Sequence, residues 1–243
     1  KTFLLTTLVW VVLSIFASIP FVLGYTNANL VDAIFEAVSG ITTTGSTVFS
    51  ELDKMPKGLL LWRGILQWLG GIGIIVVAMV FLPELRVGGM QIFRAEGFDT
   101  LGKILPRATT IAFQISIIYV GITIACGLAY VLAGMSFFDA VVHSFTTVAT
   151  GGFSNYDGSF SVFSWQVEYV AILFMILSAL PFVRYVQLIN GQATAVFKDP
   201  QVKTFIFLIC ILVVLSTLVL SLQLNLSFEL VFRKALFNIT SIL

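Results

Sequence analysis

The feature that most constrains this chain is an alternation between apolar runs of two lengths. A helix crossing about 30 Å of hydrocarbon needs about 20 mostly apolar residues. Five runs meet that length: Phe3 to Leu23, Leu59 to Leu82, Ile111 to Ala133, Val162 to Ile189 and Thr204 to Leu222. Three are shorter: Leu30 to Ile41, Phe137 to Val148 and Glu229 to Leu243. At about 1.5 Å per residue, a helix over either of the first two reaches roughly 18 Å, so it enters a membrane without crossing it. Only 10% of the residues are charged and 58% are hydrophobic, whereas a soluble domain carries about 25% charged residues. The expected fold is an all-α integral membrane protein with five spanning helices and re-entrant half-helices. The run from Lys1 to Leu23 is too long for a signal-peptide core and lacks a small-residue cleavage site, so it reads as the first span. Pro181 and Arg184 predict a kink or break late in the fourth run, with a freed carbonyl that needs a partner.

Two short runs end in residues that do not continue a helix well, Thr42-Thr43-Thr44-Gly45 and Ala149-Thr150-Gly151-Gly152. Placing Asp32 on Asp139 aligns LVDAIFEAVSGITTTGS with FFDAVVHSFTTVATGGF, and the segment from Ala235 to Leu243 parallels that from Ala33 to Ile41. The repeating unit is a long helix, a short helix, a polar turn and a long helix. It divides the chain into a first pore repeat with its connector (1–109), a second (110–203) and the front of a third (204–243). Arg86, Arg94, Lys103, Arg107, Lys198 and Lys203 gather on one side, so the polar turns are expected to face outward.

Irregular backbone at membrane depth is tolerated where it is buried in protein or lines a watery cavity. A cation leaving water needs oxygens in place of its hydration shell, and backbone carbonyls supply them without net charge. Aiming successive carbonyls at one axis requires dihedrals that glycine adopts at little cost, and a threonine adds a hydroxyl oxygen and stiffness. A half-helix ending at such a turn points its negative dipole end at the ion. A lone threonine-glycine run would read as a packing or capping turn. The half-helix, the second copy and the partial third together favour a pore instead.

The runs FEAVSGITTTGSTV, HSFTTVATGGFSNYD, WRGILQWLGGIGIIV and LPELRVGGMQIFRAEG resemble the Trk/Ktr/HKT superfamily of potassium transporters, most closely its bacterial TrkH/TrkG branch. The resemblance implies four fused channel-like repeats around a pseudo-fourfold axis, with filter positions at Thr42, Thr43, Thr44 and Gly45 and at Ala149, Thr150, Gly151 and Gly152. It implies potassium uptake through a carbonyl- and threonine-lined filter, with K⁺ as the transported ion and no cofactor. Gly45 and Gly152 match the filter glycine; in plant relatives serine at the first goes with sodium transport. The resemblance further implies a multi-pass protein of the inner membrane, a homodimer of complete protomers and a cytoplasmic nucleotide-binding regulatory subunit. The third filter turn, the fourth repeat and the branch's extra N-terminal helices are absent, so the chain reads as a fragment that cannot close a fourfold pore alone. A less selective Na⁺/K⁺ pathway and a non-conducting assembly subunit are the alternatives.

Other residues carry weaker expectations. Asp32 and Glu36, with Asp139 and His143 at the equivalent positions of the second half-helix, would concentrate cations at the outer mouth; the alternative is that Asp32 and Asp139 cap or complement helix N-termini. His143 reads as a packed, hydrogen-bonded residue, Arg63 as one that snorkels to the interface, and Gly70, Gly71 and Gly73 as points of close helix approach. The connector Glu84 to Pro106 is either an interfacial helix or a docking surface. A net charge of +1 gives no reason to expect nucleic acid, and one histidine cannot build a histidine-rich metal cluster. Cys126 and Cys210 lie in apolar runs and imply no disulfide. No serine-nucleophile motif, paired-aspartate signature or metal-ligand set accompanies His143 and Asp139, which argues against an intramembrane enzyme.

Overall fold

A computed structural model of the chain describes residues 2–24, 28–85, 108–192, 194–223 and 226–243. The helices are α1 (Thr2–Leu23), α2 (Leu30–Ile41), α3 (Lys57–Leu85), α4 (Ala108–Leu132), α5 (Phe137–Val148), α6 (Trp165–Ala179), α7 (Phe182–Ile189), α8 (Thr194–Lys198), α9 (Pro200–Gln223) and α10 (Phe228–Ile242). The long-short alternation of the sequence becomes a long-short alternation of helices. Among those whose side chains are described, Ala112–Leu132 and Pro200–Gln223 have the length and apolarity of a span. The expected connector continues from α3 outside the described residues, so its interfacial and docking readings lie there too.

Both half-helices are twelve residues long and start alike. Asn29 Oδ1 accepts the Asp32 N–H at 2.9 Å, and Ser136 Oγ accepts the Asp139 N–H at 3.1 Å. The caps are therefore Asn29 and Ser136. Asp32 and Asp139 sit in the first turn, where a carboxylate complements the helix dipole. α10 begins the same way, behind Ser227.

α3 is the centre of the packing, with α1 and α2 on one side and α4 and α5 on the other. Its glycines permit this. A β-carbon on Gly70 would lie 1.9 Å from the Ile41 carbonyl oxygen at the end of α2, and one on Gly71 would lie 3.1 Å from Ala149 at the end of α5. Among the described residues Gly73 has nothing within 4 Å of that position, so the close approaches they show are at the first two of the three expected glycines.

The fourth apolar run is broken, as Pro181 predicts. A 3₁₀ turn occupies Ser159–Val162, α6 starts only at Trp165, and α6 and α7 meet at 85°. The carbonyl freed at the break has a protein partner: the Tyr185 hydroxyl donates to Leu177 O at 2.6 Å. Arg184 of α7 pairs with Asp199, and Asp199 Oδ1 accepts the Gln201 N–H at 2.7 Å to open α9.

Candidate functional site

The turns after α2 and α5 close with the same pair of backbone hydrogen bonds. Thr43 N–H donates to Gly40 O at 3.0 Å and Thr44 N–H to Ser39 O at 2.9 Å. In the second copy Thr150 N–H donates to Thr147 O at 3.0 Å and Gly151 N–H to Thr146 O at 2.9 Å. This is the paired closure of a Schellman motif, in which glycine usually takes the left-handed position. Threonine takes it here, with φ of 56° at Thr43 and 53° at Thr150. A β-branched residue resists that conformation at a cost of roughly 1–2 kcal/mol. Two residues on, Gly45 and Gly152 both have φ of 77°. The amide protons at the start of each turn thus face back into the half-helix. Among the described residues no hydrogen bond ends on the carbonyl oxygens of Thr42 to Gly45 or Ala149 to Gly152. Their acceptor capacity is left for something else.

The two copies differ in hydroxyls. Thr42 Oγ1 donates to Val38 O at 2.7 Å, which uses its only proton. In its 2.7 Å contact with Thr44 Oγ1, the Thr44 hydroxyl must therefore be the donor, so both oxygens are fixed by the turn itself. The second turn has Ala149 and Gly151 at these positions, and Ala149 is buried against α3. Only the Thr150 hydroxyl remains there, on an exposed side chain. Of the threonine positions in the first turn, the second keeps only Thr150.

The turns touch: a β-carbon on Gly45 would lie 1.9 Å from the Gly151 carbonyl oxygen. Behind them stands Gln67 of α3, wholly buried, whose Oε1 accepts the Phe153 N–H at 3.0 Å. One helical turn away Arg63 is 1% exposed, which overturns the snorkelling expectation. Its Nε donates to Glu36 Oε1 at 2.8 Å, its Nη1 to Ser154 O at 2.7 Å, and its guanidinium lies 4.2 Å over the Phe153 ring. Glu36 also accepts from Thr47 Oγ1 at 2.9 Å and from the Val48 N–H at 3.1 Å. A buried charge needs this degree of pairing. It follows that Glu36 is neutralised in place and is not part of a cation-attracting rim.

In the second copy His143 stands where Glu36 stands in the first, and Ser154 where Thr47 does. His143 Nδ1 lies 2.9 Å from Asp139 O and Nε2 lies 3.2 Å from Ser154 Oγ, with Phe160 and Phe163 edge-on to the ring. It is the packed, hydrogen-bonded residue the sequence suggested. Asp139 accepts from Ser136, Asn155 and Tyr156. Burial works against its charge, but those three donors outweigh burial and hold the carboxyl below its ordinary value. Asp157 crosses between copies, accepting the Glu51 N–H at 2.9 Å and the Leu52 N–H at 3.2 Å. Between the two loops lies a cleft of about 310 Å³ bordered by Gly45, Thr47, Arg63, Gly152, Tyr156 and Asp157. Sequence reading missed Gln67, Ser154 and Asp157 altogether. For Arg63 and Glu36 a signal existed, since opposite charges in neighbouring apolar segments are each other's natural partners.

Among the described residues no group of three His, Cys, Asp or Glu side chains is placed to hold a metal ion. Cys126 and Cys210 are both free thiols.

The chain was compared with known proteins by sequence and by fold. The chain is 46% identical over 220 residues to the Trk system potassium uptake protein TrkI of Halomonas elongata, covering 90% of this chain and 45% of that protein. It is 42% identical over 223 residues to the Trk system potassium uptake protein TrkH of Escherichia coli, covering 90% and 46%. The crystal structure of the potassium transporter TrkH from Vibrio parahaemolyticus superposes with a TM-score of 0.88 at 37% identity, covering all of this chain and 50% of that one. The chain spans about half the length of the curated relatives it matches. Residues 1–241 match the family model described as TrkH, cation transport protein, and the chain belongs to that family.

Proposed function

We propose that this chain contributes two quarters of a potassium-selective filter, and the front of a third repeat, to a protein that takes up K⁺ under the membrane potential. The observation that carries this reading is the duplicated turn: left-handed Thr43 and Gly45 in one copy, left-handed Thr150 and Gly152 in the other, each at the negative end of a half-helix. With the amide protons tied back, carbonyl oxygens are the groups free to replace water around a dehydrated cation. Residues 1–109, 110–203 and 204–243 are then the first repeat, the second repeat and the start of the third, and Thr42 to Gly45 and Ala149 to Gly152 are the ion contacts. The potassium uptake stated for the relatives supports K⁺ over Na⁺, as do glycines at both filter positions. The transporter would sit in the inner membrane as a homodimer regulated by a cytoplasmic nucleotide-binding subunit.

The test is ⁸⁶Rb⁺ uptake into vesicles holding the full-length protein, with competition by K⁺ and Na⁺. Wild-type uptake should be inhibited by K⁺ and little affected by Na⁺, and Gly45→Ser should raise Na⁺ competition. Uptake in Gly45→Ser and Gly152→Ser that matches wild type in rate and selectivity would refute the reading.

A further inference from the structure

One helix holds both filter turns although it belongs to the first repeat. Arg63 and Gln67, one turn apart on α3, both grip the segment that follows the second turn, Arg63 at the Ser154 carbonyl and Gln67 at the Phe153 N–H. Through Nε the same guanidinium holds Glu36 of the first half-helix, and Glu36 in turn holds the Val48 N–H just beyond the first turn. Arg63 is 1% and Gln67 0% exposed, so water does not substitute readily for either contact. In the register that puts Asp32 on Asp139, the positions of Arg63 and Gln67 fall on Val170 and Phe174, which have no side-chain donor or acceptor. Glu168 of the second repeat's long helix pairs instead with Arg233 and Lys234 of α10. Because Glu36 cancels the charge of Arg63, the contribution of the arginine is geometric and does not repel cations.

We propose that Arg63 and Gln67 are positioning residues that fix the separation of the first and second filter turns, and thereby the size of ion the filter accepts. A filter of neutral oxygens separates K⁺ from Na⁺ through the number, spacing and stiffness of those oxygens. The Gly45 backbone already meets the Gly151 carbonyl at closest approach, so relaxing α3 changes that spacing directly. This inference rests on the filter reading above and adds to it the device that sets selectivity.

The experiment uses the full-length protein in vesicles and reads the ratio of ⁸⁶Rb⁺ to ²²Na⁺ uptake, with thermal unfolding followed in parallel. The double variant Glu36→Leu/Arg63→Met removes the pair without stranding a buried charge, a replacement that buried pairs often tolerate. It leaves the Ser154 carbonyl and the Val48 N–H without these partners, so it should unfold somewhat more easily; beyond that it should lose about tenfold in Rb⁺-over-Na⁺ discrimination, through a rise in Na⁺ uptake. Gln67→Leu should move the ratio in the same direction. If the double variant does not reach the membrane, Arg63→Lys, which keeps the charge and loses the fork, is read the same way. Wild-type ratios in inserted variants, or a loss of uptake that only tracks a loss of stability with the ratio unchanged, would overturn the assignment. Absence of Rb⁺ uptake in the wild type would instead overturn the filter reading itself.

Discussion

The α-carbon of Gly45 faces the carbonyl oxygen of Gly151 so closely that a β-carbon would lie 1.9 Å from it. Gly45 and Gly152 also share a left-handed φ of 77°, which costs an L side chain about 1–2 kcal/mol. Gly152→Ala should therefore lower both stability and Rb⁺ uptake. Gly45→Ala adds the collision with main chain, so it should lower both and, as Gly45→Ser does, admit more Na⁺. Paired flux and thermal unfolding measurements check this, and wild-type behaviour in both variants would contradict it.

Asp157 ties the loop after one left-handed turn to the loop after the other through two amide protons. Asp157→Ala leaves both without this acceptor and should destabilise the two loops by about 1–3 kcal/mol. Hydrogen-deuterium exchange is the measurement. The amides of Glu51 and Leu52 should exchange faster in the variant while those in the middle of α3 do not change. Unchanged exchange at Glu51 and Leu52 would mean the latch does not hold in the membrane.

The helix break at Pro181 is satisfied by a side chain four residues beyond it. Tyr185→Phe removes only a hydroxyl, but it deprives Leu177 O of its 2.6 Å donor. A loss of about 1–3 kcal/mol in unfolding free energy is expected. No loss would indicate that water reaches the break.

Gly70 and Gly58 lie on the same helix and should respond with opposite signs. At Gly70 a methyl group meets the Ile41 carbonyl at 1.9 Å, so Gly70→Ala must push α2 away from α3 and should cost about 1–3 kcal/mol. At Gly58 nothing lies within 4 Å, and Gly58→Ala should stabilise by about 0.4–1 kcal/mol through helix propensity. Thermal stability in detergent distinguishes the two.

The helices were legible because hydrophobic length is a strong signal at membrane depth. The expected short runs Leu30 to Ile41 and Phe137 to Val148 coincide with α2 and α5 residue for residue. The two turns were legible because the repeat doubled a signal that is weak alone. What stayed hidden were contacts between repeats. Nothing local marks Ser154 or Phe153 as hydrogen-bond partners of α3, since those bonds use only their main-chain atoms. Arg63 departs from its expected place for a related reason. Counted from the end of its apolar run it lies near an interface, but a half-helix carrying Glu36 packs beside it and supplies a buried anion. The left-handed threonines were equally invisible, because propensity assigns that conformation to glycine.

The hold of α3 on Phe153 and Ser154 also decides where such a protein can be cut and rejoined. A chimaera that exchanged the first repeat at its sequence boundary, before Thr110, would separate Arg63 and Gln67 from the main chain they were fitted to. A junction placed after Ser154 would carry both halves of the contact together. The exchangeable unit in this chain is thus the first repeat plus the loop of the second.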